Sequence, residues 1–266
     1  MAIQLTNDGF LSPTMDSVVD HVRRAHAEIF QFCLRLNRLA HQCLFEAKVD
    51  GEDLRELLLS TLMPKGLGAY QAVILLSERG MPAQSRVLLR TLLEVTFRIG
   101  AIAKNPEVAR AYALEDAARR KKVINKLRML SSYEAFADKA TLDSTHEALS
   151  DRIKSQGIKE LKTQWFAEQA GLTDFYHSAY SYLSDAVHVS VSHLEDALDL
   201  DENGELVGLT YGPSGADIEA TLLTAAESLI FCLRGTYSVV DIDSADDVHR
   251  MHDEFNALHA RYSGET

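Results

Sequence analysis

Apolar residues in this chain recur mainly at spacings of three and four, the period of a helix with one face in a core. Ser12 followed by Pro13 reads as a helix start, with serine capping and proline in the first helical position. From there Val18, Val22, Ala25, Ile29, Cys33, Leu36, Leu39, Ala40 and Cys43 predict one long helix to about residue 47. Asp50-Gly51 breaks the pattern. A second helix is expected from near Glu52 to Pro64, with a kink or break there, because proline removes a hydrogen bond and crowds the preceding turn. Residues 66–79 resume as a strongly apolar helix. Gly80 is its expected C-terminal stop, and Pro82 opens the next helix.

Residues 82–103 are apolar on most sides, which marks a central helix. Asn105-Pro106 ends it and starts another, running to about Leu130. Further helices are expected near 132–138, 142–155, 159–170 and 173–197. One stretch has a different character: LDLDENGELVGLTYG, residues 198–212, where Asn203-Gly204 between apolar segments signals a β-hairpin. Helices near 215–236 and 244–262 close the pattern. The expected fold class is all-α, a multi-helix bundle with one short β-hairpin. No linker or repeat divides it, so residues 1–266 read as one helical domain. The C-terminal third, 195–266, is a candidate subdomain on charge grounds.

That charge is unevenly spread. The net value is −12, yet residues 1–194 balance to +1 and residues 195–266 to −13. The acidic third repels nucleic acid and anionic membrane over its own surface; the rest does not. Five prolines and fourteen glycines are few for an all-β fold. No apolar run approaches the roughly 20 residues of a membrane span, and residues 1–16 lack the basic start and apolar centre of a secretory signal. The expectation is a cytoplasmic protein without membrane contact. Cys33, Cys43 and Cys232 read as reduced, packed thiols. No paired-cysteine knuckle, P-loop, dinucleotide fingerprint or nucleophile elbow occurs, so no metal and no cofactor is expected.

Two polar stripes stand out. Arg86, Arg90, Glu94 and Arg98 lie four apart on a helix that is otherwise Val87, Leu88, Leu89, Leu92, Leu93, Val95, Phe97 and Ile99. Charges on so apolar a helix must be partly buried, and buried charges need partners. A salt-bridge ladder through Glu94 is the structural reading. A guanidinium-lined anion pocket is the functional one. The second stripe is Tyr176, Tyr180, Ser184, His188 and Ser192, with Asp185 three before His188. A histidine among hydroxyls suits proton transfer near neutral pH, and a satisfied core histidine is the alternative. His193 falls on another face from His188 and cannot share a metal with it.

Other features carry less. Asp199, Asp201, Asn203 and Glu205 copy the opening of a calcium loop, but Thr210 stands where its bidentate glutamate belongs, so a plain turn is expected. Arg119, Arg120, Lys121, Lys122, Lys126 and Arg128 form a basic helix face, either solvated or a phosphate-backbone contact. His249, His252 and His259 read as an exposed polar face.

Two segments, GAYQAVILLSERGMPAQSRVLLRTLLEVTFRIGAIAKNPEVARAYAL (68–114) and FYHSAYSYLSDAVHVS (175–190), resemble an uncharacterised bacterial helical family, domain of unknown function 5677. Its pattern maps onto Gly80, Arg90, Glu94, Tyr180, Ser184 and His188, and the resemblance covers about half the chain. A looser similarity is to HEPN domains, helical nucleotide-binding folds that include metal-independent ribonucleases of toxin and phage-defence systems. Their signature is an arginine followed by four to six residues and a histidine. No arginine stands in that window before His188. Arg35-Leu-Asn-Arg-Leu-Ala-His41 does fit, but about two such fits are expected by chance. A HEPN-like site here requires Arg86 or Arg90 to reach His188 across the bundle; the two polar stripes on core-like helices then offer His188, Arg90 and Arg86 as catalytic residues, with Glu94, Arg98, Tyr180, Ser184 and Asp185 around the substrate. RNA or a nucleotide would be the ligand. The competing expectation is a non-catalytic scaffold that binds a protein partner or itself as a homo-oligomer, with both stripes serving as buried networks. A third is a small-molecule pocket lined by Arg90, Tyr180 and His188.

Overall fold

The architecture comes from a computed structural model that describes residues 7–130, 138–187, 198–209 and 211–264, with backbone alone for 185–187. It is an all-α bundle carrying one two-stranded antiparallel sheet. After a 3₁₀ turn at Gly9–Leu11 come α1 (Met15–Ala25), α2 (Ala27–Glu46), α3 (Leu54–Glu78), α4 (Pro82–Lys104), α5 (Pro106–Arg128), α6 (Lys139–Gln156) and α7 (Thr163–Ala170). Then follow α8 (Thr173–Phe175), a π-helical turn (Tyr176–Tyr180), α9 (Ser181–Val187), β1 (Leu198–Leu200) and β2 (Leu206–Leu209). The chain closes with α10 (Ile218–Tyr237) and α11 (Ala245–Ser263).

As its sequence predicts, α4 is central. It packs against α3, α10 and α7, and its Leu92, Leu93, Phe97, Ile99 and Ile102 are wholly buried. Its neighbours come very close. A Cβ on Gly235 of α10 would lie 2.8 Å from Ile99, and one on Gly100 would lie 3.0 Å from Ala170 of α7. Leaving out side-chain bulk there lets three helices close around one, so that its apolar surface leaves water. From the acidic third, α10 packs on α3 and α4, and α11 on α10 and α2. Hydrophobic residues of α6 stay out of that core; it packs on α5.

Three expectations are corrected. The first long helix is two, divided at His26, whose φ of −117° and ψ of 36° leave the helical region. The His26 N–H still bonds Val22 and its carbonyl accepts from Phe30, so the apolar period runs through undisturbed. Its imidazole Nδ1 lies 2.9 Å from Glu219 on α10, which fixes the break tertiarily. In contrast, Pro64 neither breaks nor ends α3. It is exposed, so the ring and the carbonyl it leaves unbonded cost little where water is available. The expected helix over 173–197 is interrupted by the π turn; its residues 188–197, and residues 132–137 of the helix expected near 132–138, lie outside the described residues. The expected hairpin is present, with Leu198 opposite Leu209 and a bulge between Asp199 and Leu200. Asp201 Oδ1 accepts from the N–H groups of Asn203 and Glu205, a plain turn.

Gly80 ends α3 as expected. Its φ is +67°, and a Cβ would meet Pro213 Cβ at 2.8 Å and Ser214 N at 2.9 Å. Ser214 N also donates to the Gly80 carbonyl at 2.9 Å, tying the α3–α4 turn to the approach to α10. Gly80→Ala is expected to lower unfolding free energy by about 2–3 kcal/mol, from the left-handed backbone plus the displaced contact, as read by urea denaturation.

Among the described residues the three cysteines are free and buried. Burial pushes the Cys33 and Cys232 thiols up to about 12 and Cys43 to about 11. In the unfolded chain each ionises near its ordinary value, so the folded state binds more protons above that value. The thiols' contribution is therefore intact below pH 9 and drains away as pH rises toward 12. The expected loss is roughly 3 kcal/mol for Cys33 and Cys232 together at pH 10, checked by denaturant midpoints from pH 7 to 10.5, with Cys→Ala variants flattening the slope.

Candidate functional site

The polar stripe of α4 exists because residues four apart on a helix stack on one face. Arg86 and Arg98 are nearly buried, their side chains 8% and 10% exposed, while Arg90 and Glu94 are 26% and 27% exposed. Glu94 is the hub. Its Oε1 lies 3.2 Å from Arg90 Nη1, its Oε2 lies 3.5 Å from Arg98 Nη1, and Arg98 also donates to the Glu94 carbonyl at 2.8 Å. Arg98 further covers the face of Phe166 on α7, at 5.2 Å.

The second stripe meets the first. Arg90 Nη2 donates to the Tyr180 hydroxyl at 2.8 Å and its Nε to Ser184 Oγ at 3.4 Å. The Tyr180 hydroxyl donates in turn to Glu94 Oε1 at 3.1 Å. Tyr180 is buried, and burial, with the Glu94 carboxylate adding to it, raises its pKa above the ordinary tyrosine value. It therefore stays neutral and can accept from arginine while donating to glutamate. Ser184 Oγ donates back to the Tyr180 carbonyl at 2.9 Å. Asp185 is placed by its backbone in α9, and His188 lies outside the described residues.

The π turn is what brings Tyr180 here. Phe175, Tyr176 and Tyr180 all pack on Phe97, with ring centroids 6.4, 6.1 and 5.8 Å away. A regular helix separates these positions by 100° per residue; the widened turn lets all three face one ring. Phe97 sits between Glu94 and Arg98 in sequence, so one helix supplies both the charges and the aromatic platform that holds their partner.

Arg86 departs from the rest. Its guanidinium bonds Asp217, the residue before α10, which has a positive φ of 54°. The pair lines a cleft of about 290 Å³ with Tyr182, Leu183 and Thr221. Sequence spacing gives no hint of Asp217, 131 residues away. Glu115 was also missed as a site residue. It is 1% exposed, its Oε1 accepts from Arg119 Nε at 3.1 Å and Leu161 N at 3.3 Å, and its Oε2 has no partner.

Elsewhere, the basic face of α5 is largely paired: Arg119 with Glu115, Arg120 with Asp116, Lys122 with Glu160 and Arg128 with Asp143. Arg35 and His41 do not form one site, since Arg35 pairs with Glu254 and His41 bonds Gln71. Of the α11 histidines, His252 faces Arg234 at 3.2 Å and His249 faces the Tyr237 hydroxyl at 3.0 Å. Burial, then the Arg234 charge, lowers the His252 pKa. Among the described residues no group of three or more His, Cys, Asp or Glu is placed to hold a metal ion, and no helix is long and apolar enough to cross a membrane.

The sequence model of a family of unknown function, DUF5677, matches residues 56–206. That span includes both polar stripes but not Asp217, α10 or α11. No curated protein and no solved structure matches the chain.

Proposed function

The chain belongs to DUF5677, a family of unknown function, and we propose that it is a HEPN-like protein that grips the phosphate of RNA or a nucleotide with Arg90 and cleaves RNA without a metal. The observation that carries the proposal is the Arg90 guanidinium. It is a quarter exposed and joins the α4 charges to Tyr180 and Ser184. Arg90 and Arg98 share one carboxylate, Glu94, which leaves a positive charge in excess at a partly dry site. Such a site favours an anion, and guanidinium suits phosphate oxygens. Arg86, neutralised by Asp217, is a positioning residue in this reading.

In metal-independent cleavage the ribose 2′-hydroxyl attacks its own phosphorus and the 5′-oxygen of the next nucleotide leaves. One group takes the proton from the 2′-hydroxyl and another supplies one to the leaving oxygen. His188, four positions after Ser184, is the proton carrier the sequence offers. Arg90 would stabilise charge gathering on the non-bridging oxygens. Toxin and phage-defence systems are the setting that the HEPN similarity implies.

A second reading has its own support: each arginine of the stripe faces a carboxylate, Asp217 or Glu94. Closed networks of this kind can specify packing in a non-catalytic scaffold that binds a protein partner. The deciding experiment is cleavage of short single-stranded RNA in EDTA by wild type, Arg90→Ala and His188→Ala. Cleavage lost in both folded variants supports the enzyme. No cleavage by wild type, with Arg90→Ala destabilised, supports the scaffold.

A further inference from the structure

The hairpin of β1 and β2 stands outside the core. Among the described residues neither strand packs appreciably on a helix, and β2 pairs with β1 alone. A two-stranded sheet is marginal in water by itself; a third strand or a covered face is what makes such a unit stable. Cross-strand partners point to one face, so the pairs Leu198–Leu209 and Leu200–Leu206 gather four leucines on one side. Leu198, Leu200, Leu206 and Leu209 are 39, 50, 61 and 74% exposed. Asp199, opposite Gly208, points to the other face.

The two edges differ. β1 carries Asp199 and runs into Asp201, and charged side chains on an edge strand deter another chain from pairing there. β2 reads Leu206-Val207-Gly208-Leu209, with neither charge nor proline. The register skips Val207, which is 63% exposed. β2 is therefore the open edge. Its outer main-chain groups, with the leucine face beside them, can receive a further strand.

Charge decides what that strand is. Asp199, Asp201, Glu202 and Glu205 are the ionisable residues between 198 and 209, and none is basic. A second copy of the hairpin would set four more carboxylates beside these, and like charges opposed across a sheet are destabilising. A cationic strand meets complementary charge instead. We propose that β2 docks an extended lysine- or arginine-rich segment of a partner protein as a third strand. The segment's alternate apolar side chains lie on the leucine face, and its cationic ones answer the carboxylates. This docking is independent of RNA cleavage and of Arg90.

The test is fluorescence anisotropy of the full chain with a labelled peptide alternating lysine and valine. Two controls run beside it, one with glutamate in place of lysine and one with proline in place of valine. Saturable one-to-one binding of the lysine–valine peptide is expected, weakening as salt rises. The glutamate control is repelled, and the proline control lacks N–H groups that a ladder needs, so each should bind at least about tenfold more weakly. Val207→Lys, a charge placed on the open edge, should weaken the lysine–valine peptide about tenfold or more. Asp199→Asn with Glu205→Gln should weaken it about three- to tenfold. Both variants lie outside the core, so thermal unfolding of the helices should not move. In NMR spectra the amides of Leu206–Leu209 should shift on binding and exchange more slowly. No saturable binding, equal binding of either control, an affinity unchanged in Val207→Lys, or amide shifts confined to other elements would each overturn the proposal. So would dimerisation of the chain that Val207→Lys abolishes, which would make a second copy the occupant.

Discussion

Arg90→Ala is expected to cut RNA cleavage by a factor of about 10² to 10³, the usual cost of removing one donor that stabilises charge in a transition state. His188→Ala is expected to cut it by about 10² to 10⁴, the range for general acid–base groups. If both act on one phosphorus, the double variant should lose little more than the worse single one, since groups that work as a unit are not additive. Stability separates this outcome from a structural role. Removing Arg90 takes a donor from Tyr180 and from Ser184, but Glu94 keeps Arg98 and the Tyr180 hydroxyl. The network should therefore survive with a loss of about 1–2 kcal/mol. Arg90→Lys keeps a charge but not a planar fork, so it should recover folding more fully than cleavage. Full activity in a folded Arg90→Ala protein would remove Arg90 from the site.

Phe97→Ala is expected to destabilise the chain by about 3–5 kcal/mol, the cost of emptying a fully buried aromatic position. Phe97 is 0% exposed, and its ring is the one that Phe175, Tyr176 and Tyr180 share. The variant should therefore do more than weaken the core. With its platform gone, the π turn has no reason to stay widened, and Tyr180 should leave Arg90 and Glu94. Calorimetry or urea unfolding reads the first effect. Tyrosine titration reads the second, because a Tyr180 released to water returns toward its ordinary pKa. Phe97→Leu, which restores most of the volume without the ring, should recover stability better than it recovers the raised tyrosine pKa.

These contrasts mark what was legible in the sequence. The α4 stripe could be read directly, because period-four charges on an apolar helix have one geometric meaning. So could the helical class, the hairpin at Asn203-Gly204 and the stop at Gly80, each set by local backbone chemistry. That Arg90 reaches Tyr180 and Ser184 was not legible, since it depends on how two helices 90 residues apart are laid together. Asp217 was hidden for the same reason. The π turn was hidden because its cause, the Phe97 ring, sits on another helix. His26 shows the opposite limit: a one-residue departure that preserves hydrogen bonds on both sides leaves no trace in the apolar period. Pro64 misled because proline's cost depends on whether its turn faces water, which propensity alone does not encode.

The close embrace of α4 by α10 has a consequence for what the family match means. Ile99 meets Gly235, and the Thr96 hydroxyl donates to the Ser228 carbonyl at 3.3 Å. Ser228 and Gly235 both lie beyond residue 206, where the matched span ends. The stretch by which relatives are recognised is thus not the stretch that can stand alone in water. Heredity has drawn one boundary and the hydrophobic effect another. Ending this chain at residue 206 should therefore leave the α10-facing side of α4 open to water, and the matched segment by itself should aggregate rather than fold.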